Sequence, residues 1–142
     1  MADSRPETFG ARMVRREKQL TDTALRTTKG ALRAVLHTLV WTTRVDTGRA
    51  RSNWIVTKNK PSSRQITNFP AGKKGSTGEA CAQLAIARGN VTIRTMTLKN
   101  PGAWFVNNVP YIKIINYKYG DMMLERAITA GNTYLRTTRI FS

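Results

Sequence analysis

The sequence predicts an α+β fold: a long N-terminal helix, a small antiparallel sheet, and a short helix and a C-terminal helix packed on one face of that sheet. Three observations carry this. Apolar residues recur at helical spacing from Phe9 to Leu39. Short β-branched and aromatic runs bounded by Asn, Gly and Pro fill the middle. A second apolar helical pattern closes the chain. At 142 residues the chain has the size of one domain, so 1–142 reads as a single unit able to hold a core without cross-links.

Ser4 can cap the first helix, with Pro6 tolerated in its first turn and Glu7 closing a capping box. Phe9, Met13, Leu20, Ala24, Ala31, Val35 and Leu39 form a stripe that Leu25, Leu32 and Leu36 widen, while Arg12, Arg15, Arg16, Lys18, Arg26 and Lys29 lie opposite. One helix from about residue 5 to residue 43 is expected, with a bend or break open in the Thr-rich stretch around Gly30. A helix that long in so small a chain suggests support from neighbouring subunits. Val45-Asp46-Thr47-Gly48 supplies turn chemistry, and Arg49 to Asn53 leads into a strand at Trp54-Ile55-Val56-Thr57. Residues 58–78, rich in Lys, Ser, Asn, Pro and Gly, read as a long basic loop.

A short helix is expected from Glu79 to Arg88, ended by Gly89-Asn90. The alternation of Val91, Ile93 and Thr95 against Thr92, Arg94 and Met96 then predicts a half-buried strand to Leu98. Asn100-Pro101-Gly102 is a turn, and Trp104-Phe105-Val106 is a further strand closed by Asn107-Asn108. Tyr111 to Tyr117 is open between strand and helix turn. After Gly120, Asp121 can cap a last helix carrying Met122, Leu124, Ile128 and Leu135. Trp54 and Trp104 lie in apolar strand patterns and are expected in the core.

Charge constrains the partners. The chain has 24 Lys and Arg against 8 Asp and Glu, a formal net charge of +16. Such a field attracts polyanions or acidic protein surfaces. Between Thr47 and Gly120 the bases Arg49, Arg51, Lys58, Lys60, Arg64, Lys73, Lys74, Arg88, Arg94, Lys99, Lys113 and Lys118 meet one acid, Glu79. A surface neutralised by DNA or by an acidic neighbouring subunit is expected. Binding to phosphates would be salt-dependent, with Trp54, Phe69 and Trp104 able in principle to stack on bases.

The groups that catalysis requires are scarce. His37 is the one histidine and lies inside a helical pattern; Cys81 is the one cysteine and sits among small apolar residues. Neither a disulfide within the chain nor a zinc site is expected. Asp3, Glu7, Glu17, Asp22, Asp46, Glu79, Asp121 and Glu125 are spread too thinly for a two-metal cluster. Gly72-Lys73-Lys74-Gly75-Ser76-Thr77-Gly78 lacks the spacing of a nucleotide phosphate-binding loop. The expectation is no enzyme and no cofactor. The N-terminal segment lacks a signal peptide's apolar core and no apolar run is long enough to span a bilayer, so action without secretion or a membrane is expected.

Two segments resemble the neck or tail-completion family of long-tailed double-stranded DNA phages, often labelled minor tail components. One is Val45-Asp46-Thr47-Gly48-Arg49-Ala50-Arg51-Ser52-Asn53-Trp54, following a long amphipathic helix. The other is Val106-Asn107-Asn108-Val109-Pro110-Tyr111, followed by Gly120 and a last helix. Their order and spacing are similar to the family over nearly the whole chain. The chain departs from it at Asn116, where relatives carry Glu, and at Gly120-Asp121-Met122-Met123, where they carry a Pro-containing segment.

The resemblance implies a structural virion protein, assembled in the host bacterial cytoplasm. It would form a homo-oligomeric ring of six or twelve copies at the head–tail junction. Its expected neighbours are the portal, adaptor or head-closure protein on one side and the tail terminator or tail tube on the other, with double-stranded DNA in the channel. Neck, tail-completion and tail-terminator positions stay open. Asp46, Thr47, Gly48, Arg49, Trp54, Asn107, Asn108, Pro110, Tyr111 and Gly120 are expected to define the fold. Arg12, Arg15, Arg16, Lys18, Lys58, Lys60, Arg64, Lys73 and Lys74 are expected to face DNA or acidic partners. The 58–78 loop is expected to reach a neighbour and order on assembly. The alternative is a small basic nucleic-acid-binding protein.

Overall fold

The computed structural model describes residues 6–99, 102–118 and 122–138. The elements in chain order are α1 (Phe9–Thr42), α2 (Arg49–Ser52), β1 (Trp54–Thr57), α3 (Gly78–Arg94), β2 (Trp104–Asn107), α4 (Ile112–Lys118) and α5 (Met123–Thr137). The fold is α+β, as the pattern predicts. Ser4, Gly120, Asp121 and the Asn100-Pro101 half of the expected turn fall outside the described residues.

Helix α1 begins one turn later than expected. Thr8 caps it, its Oγ1 accepting from the amide of Ala11 at 3.1 Å, and Glu7 pairs with Arg15 at 2.9 Å instead of closing a capping box. The helix runs unbroken through Gly30 to Thr42. Helix α5 lies antiparallel along its C-terminal part. Met123 Sδ is 3.1 Å from Thr43 Oγ1, Gly131 lies against Val35, and the Tyr134 ring lies on Gly30. Leu36, Leu39 and Val40 on α1 form the core with Trp54, Val56, Ala82, Ala85, Ile93, Met96, Met123 and Ala127. The stripe does not stay in the core throughout: residues 6–19 are all exposed, with Phe9 70% and Met13 55% accessible.

Among the described residues the sheet has two strands, not three. β1 and β2 pair antiparallel with Trp54 opposite Asn107 and Thr57 opposite Trp104. The expected strand at 91–98 is instead the last part of α3 and its exit. Ala82, Ala85, Gly89, Ile93 and Met96 are all buried at helical intervals, whereas Val91 is 56% exposed and Thr95 is exposed. The period-2 alternation was real in sequence, but the buried side follows a helical period that runs through Gly89-Asn90. Trp104 departs too. It sits at the open end of a two-stranded ribbon and is half exposed, while Trp54 is buried. Residues 112–118 resolve to helix.

Gly89 is what lets α3 continue where a helix end was expected. A Cβ there would run into Leu36 Cδ2 and sit 3.0 Å from Val56 Cγ2, and Leu36 is fully buried. Glycine thus permits close α1–α3 packing. Ala at an ordinary helix position gains about 1 kcal/mol over Gly. At Gly89 the overpacking penalty of about 1–3 kcal/mol outweighs it. Gly89→Ala is expected to lose about 1–2 kcal/mol in urea unfolding. Gly10→Ala, with nothing within 4 Å of its Cβ, is expected to gain about 0.5–1 kcal/mol. Equal gains at both positions would mean that Leu36 simply moves aside.

Candidate interface: a basic loop tied to the two motif segments

The two motif segments meet in space. Trp54 and Asn107 are register partners across β1 and β2, and Asn107 Nδ2 donates to the carbonyl of Ala50 at 2.8 Å. Asn107 Oδ1 accepts from the amide of Val109 at 3.2 Å, closing the turn that places exposed Pro110 and half-buried Tyr111. Trp54 donates from Nε1 to Thr43 Oγ1 at 2.8 Å, which joins the sheet to the end of α1.

The same segments hold the basic loop. Asn53, fully buried, donates from Nδ2 to the Ile66 carbonyl at 3.1 Å and accepts at Oδ1 from the Ile66 amide at 2.6 Å. Its side chain thus pairs with Ile66 as a neighbouring strand would. Asn108 Nδ2 donates to the carbonyls of Ser62 and Arg64 at 2.8 and 2.9 Å. At the loop's far end Gly72 and Gly75 donate to the carbonyls of Thr47 and Asp46, and Asp46 Oδ1 accepts from the amide of Lys74 at 3.2 Å. Gly48, at φ +95°, lies against Cys81, whose Sγ points to the Pro70 carbonyl. Asp46 was expected to steady the Gly48 turn; its carboxylate instead pins the loop. The loop is thus tied to its own chain at both ends.

Asp46, Asn53, Trp54, Asn107 and Asn108 are therefore engaged internally, and the loop presents its cations. Lys60, Arg64, Lys73 and Lys74 are exposed and Lys58 is half-buried. Arg12, Arg15, Arg16 and Lys18 form a second basic group on the exposed start of α1. Arg49 donates to Gln65 Oε1 at 2.7 Å.

Two arginines counted in the basic field are half-buried and held by backbone carbonyls. Arg51 donates to the carbonyls of Trp41, Thr43 and Gly78 and lies 5.3 Å over the Trp41 ring. Arg88 donates to the carbonyls of Ser52 and Trp54. Burial lowers both guanidinium pKa values from their ordinary range, and the neighbouring Arg64 charge lowers that of Arg88 further. Sequence reading could not separate these from surface bases, because their acceptors are backbone carbonyls set by the tertiary fold. Asn116 serves the entry of α5. Its carbonyl accepts from Met122 and its Oδ1 from Leu124 at 3.3 Å.

An open cleft of about 740 Å³ lies between the Arg44–Ala50 turn and α4, lined by Arg44, Asp46, Arg49, Tyr111 and Ile114 among others. Sequence reasoning did not point to it. Among the described residues no three His, Cys, Asp or Glu side chains converge as a metal set would require, and no helix is long and apolar enough to cross a membrane. His37 is exposed beside Trp41, and Cys81 is fully buried. The chain matches no family model, no curated protein and no solved structure.

Proposed function

We propose that this chain is a structural, non-enzymatic virion protein, one subunit of a ring at the phage head–tail junction that continues the DNA channel. The observation that carries the reading is the convergence of the two family-like segments. Far apart in sequence, they meet across β1 and β2, and their polar side chains are used to fix a basic loop on the surface. A loop fixed in this way offers pre-ordered charge to a partner at a low ordering cost. Lys60, Arg64, Lys73 and Lys74 would meet DNA or an acidic neighbouring subunit, such as a portal, adaptor or tail protein.

In purified particles of the phage that encodes it, quantitative mass spectrometry is expected to find the chain at six or twelve copies. Particles made with residues 60–76 deleted are expected to accumulate as full heads without attached tails. Absence of the chain from particles would overturn the reading. Tight, steeply salt-dependent binding of duplex DNA by the isolated chain, together with that absence, would establish the alternative of a free nucleic-acid-binding protein.

A further inference from the structure

Two helix faces of this chain carry large apolar residues that stay mostly exposed, and they share one pattern. On the start of α1, exposed Phe9 and Met13 and half-buried Leu20 recur at intervals of four and seven residues. On the outer side of α5, Leu124, Ile128 and Leu135 recur at the same intervals. Each trio falls within about 40° of arc and runs along about 17 Å of helix. Leu124, Ile128 and Leu135 are 42%, 61% and 47% exposed, and Phe9 and Met13 are more than half exposed.

We infer that the start of α1 from one copy docks on the outer face of α5 from a second copy. The two stripes match in length and spacing when the two helices run parallel, which sets Met13 against Ile128 and fits helix-on-helix packing. The Phe9 line also runs on into Ala31, whose carbonyl lies against Gly131 of this chain's own α5, so α1 already packs an α5 further along. DNA would leave Phe9 and Met13 unsatisfied, since phosphates offer no apolar surface. The contact cannot form within one chain. Tyr134 of α5 lies at Gly30, and Met13 is about 25 Å further along α1.

Each copy would give its α1 face to one neighbour and its α5 face to another, a head-to-tail contact that closes into a ring. The inference rests on the proposed function only for that closure. Six side chains make an interface smaller than the standard size, so a single contact is weak and closure strengthens it.

Mass photometry and sedimentation of the full-length chain are expected to show concentration-dependent oligomers. Raising salt from about 0.1 M to about 0.5 M should strengthen them by screening the self-repulsion of a +16 chain, whereas DNA binding would weaken. Phe9→Ser with Met13→Ser, and separately Ile128→Ser, are expected to raise the half-assembly concentration about tenfold or more with circular dichroism unchanged. Mixing the two variants is expected to restore dimers only, since each keeps the face the other lacks. With Cys81 buried, Met13→Cys and Ile128→Cys chains are expected to cross-link to each other on oxidation. Met13→Cys chains linking only to themselves would overturn the contact. Full-size oligomers in the Phe9→Ser/Met13→Ser variant would overturn it while leaving a ring through other surfaces. A wild-type chain that stays monomeric throughout would overturn both the contact and the ring.

Discussion

Trp54→Ala is expected to remove about 4 kcal/mol of stability in urea unfolding, the largest loss of any single side-chain truncation at the motif. Trp54 is 3% exposed and belongs to the main core cluster with Leu39, Val40 and Met123. Truncation deletes that apolar contact and enlarges an existing space of about 240 Å³ lined by Trp54, Phe105, Ile112 and Met123. It also takes the Nε1 donor from Thr43 Oγ1, which is fully buried and donates to the Leu39 carbonyl at 2.6 Å. Trp54→Phe keeps most of the apolar body and loses mainly that hydrogen bond, so about 1–2 kcal/mol is expected. A domain of this kind is stable by about 5–15 kcal/mol, so the Ala variant would lose a large share of it. An Ala loss no greater than the Phe loss would mean that packing at Trp54 contributes little and the sheet is anchored elsewhere.

Much of the fold was legible because it repeats. Helix α1 carries an apolar stripe at a fixed period, β1 and β2 are short apolar runs between polar breaks, and the basic loop is marked by composition. What the sequence did not disclose lies where two periods overlap or where partners are distant. Val91, Ile93 and Thr95 satisfy a strand alternation, yet Ile93 is buried as part of the series Ala82, Ala85, Gly89, and only the nearness of Leu36 explains why a glycine stands there. Phe9 and Met13 fit the α1 stripe, but α5 lies against the C-terminal part of α1 and does not reach them. The motif around Asp46 and Asn107 was visible as a motif. Its work on the loop was not, because side chain to backbone bonds such as Asn108 to Ser62 span stretches that leave no periodic trace. Arg51 and Arg88 carry the same letter as the surface arginines and differ only in the carbonyls that surround them.

Asn53→Asp changes one nitrogen to oxygen and is expected to cost about 3 kcal/mol at neutral pH, more than most single replacements. Asn53 Nδ2 donates to two carbonyls, Arg49 at 2.7 Å and Ile66 at 3.1 Å, while Oδ1 accepts from the Ile66 amide. A carboxylate keeps the acceptor but sets a second oxygen against two carbonyl oxygens in a fully buried position. Burial and those carbonyls both favour the protonated acid, which raises its folded pKa above the unfolded value. A group raised in this way binds more protons folded than unfolded. Its penalty is therefore smallest below the unfolded pKa and grows as pH rises through the folded one. The variant is expected to recover part of its loss near pH 4 relative to pH 7, with the protonated acid donating to one of the two carbonyls. Asn53→Leu, which cannot titrate, should show no such recovery relative to wild type. Limited proteolysis should find the Asp variant cut within 58–77 at neutral pH while α1 and α3 persist, because Ile66 loses its strand-like partner before the core does. A uniform, pH-independent loss with the loop still protected would mean that Asn108 and Asp46 hold the loop without Asn53.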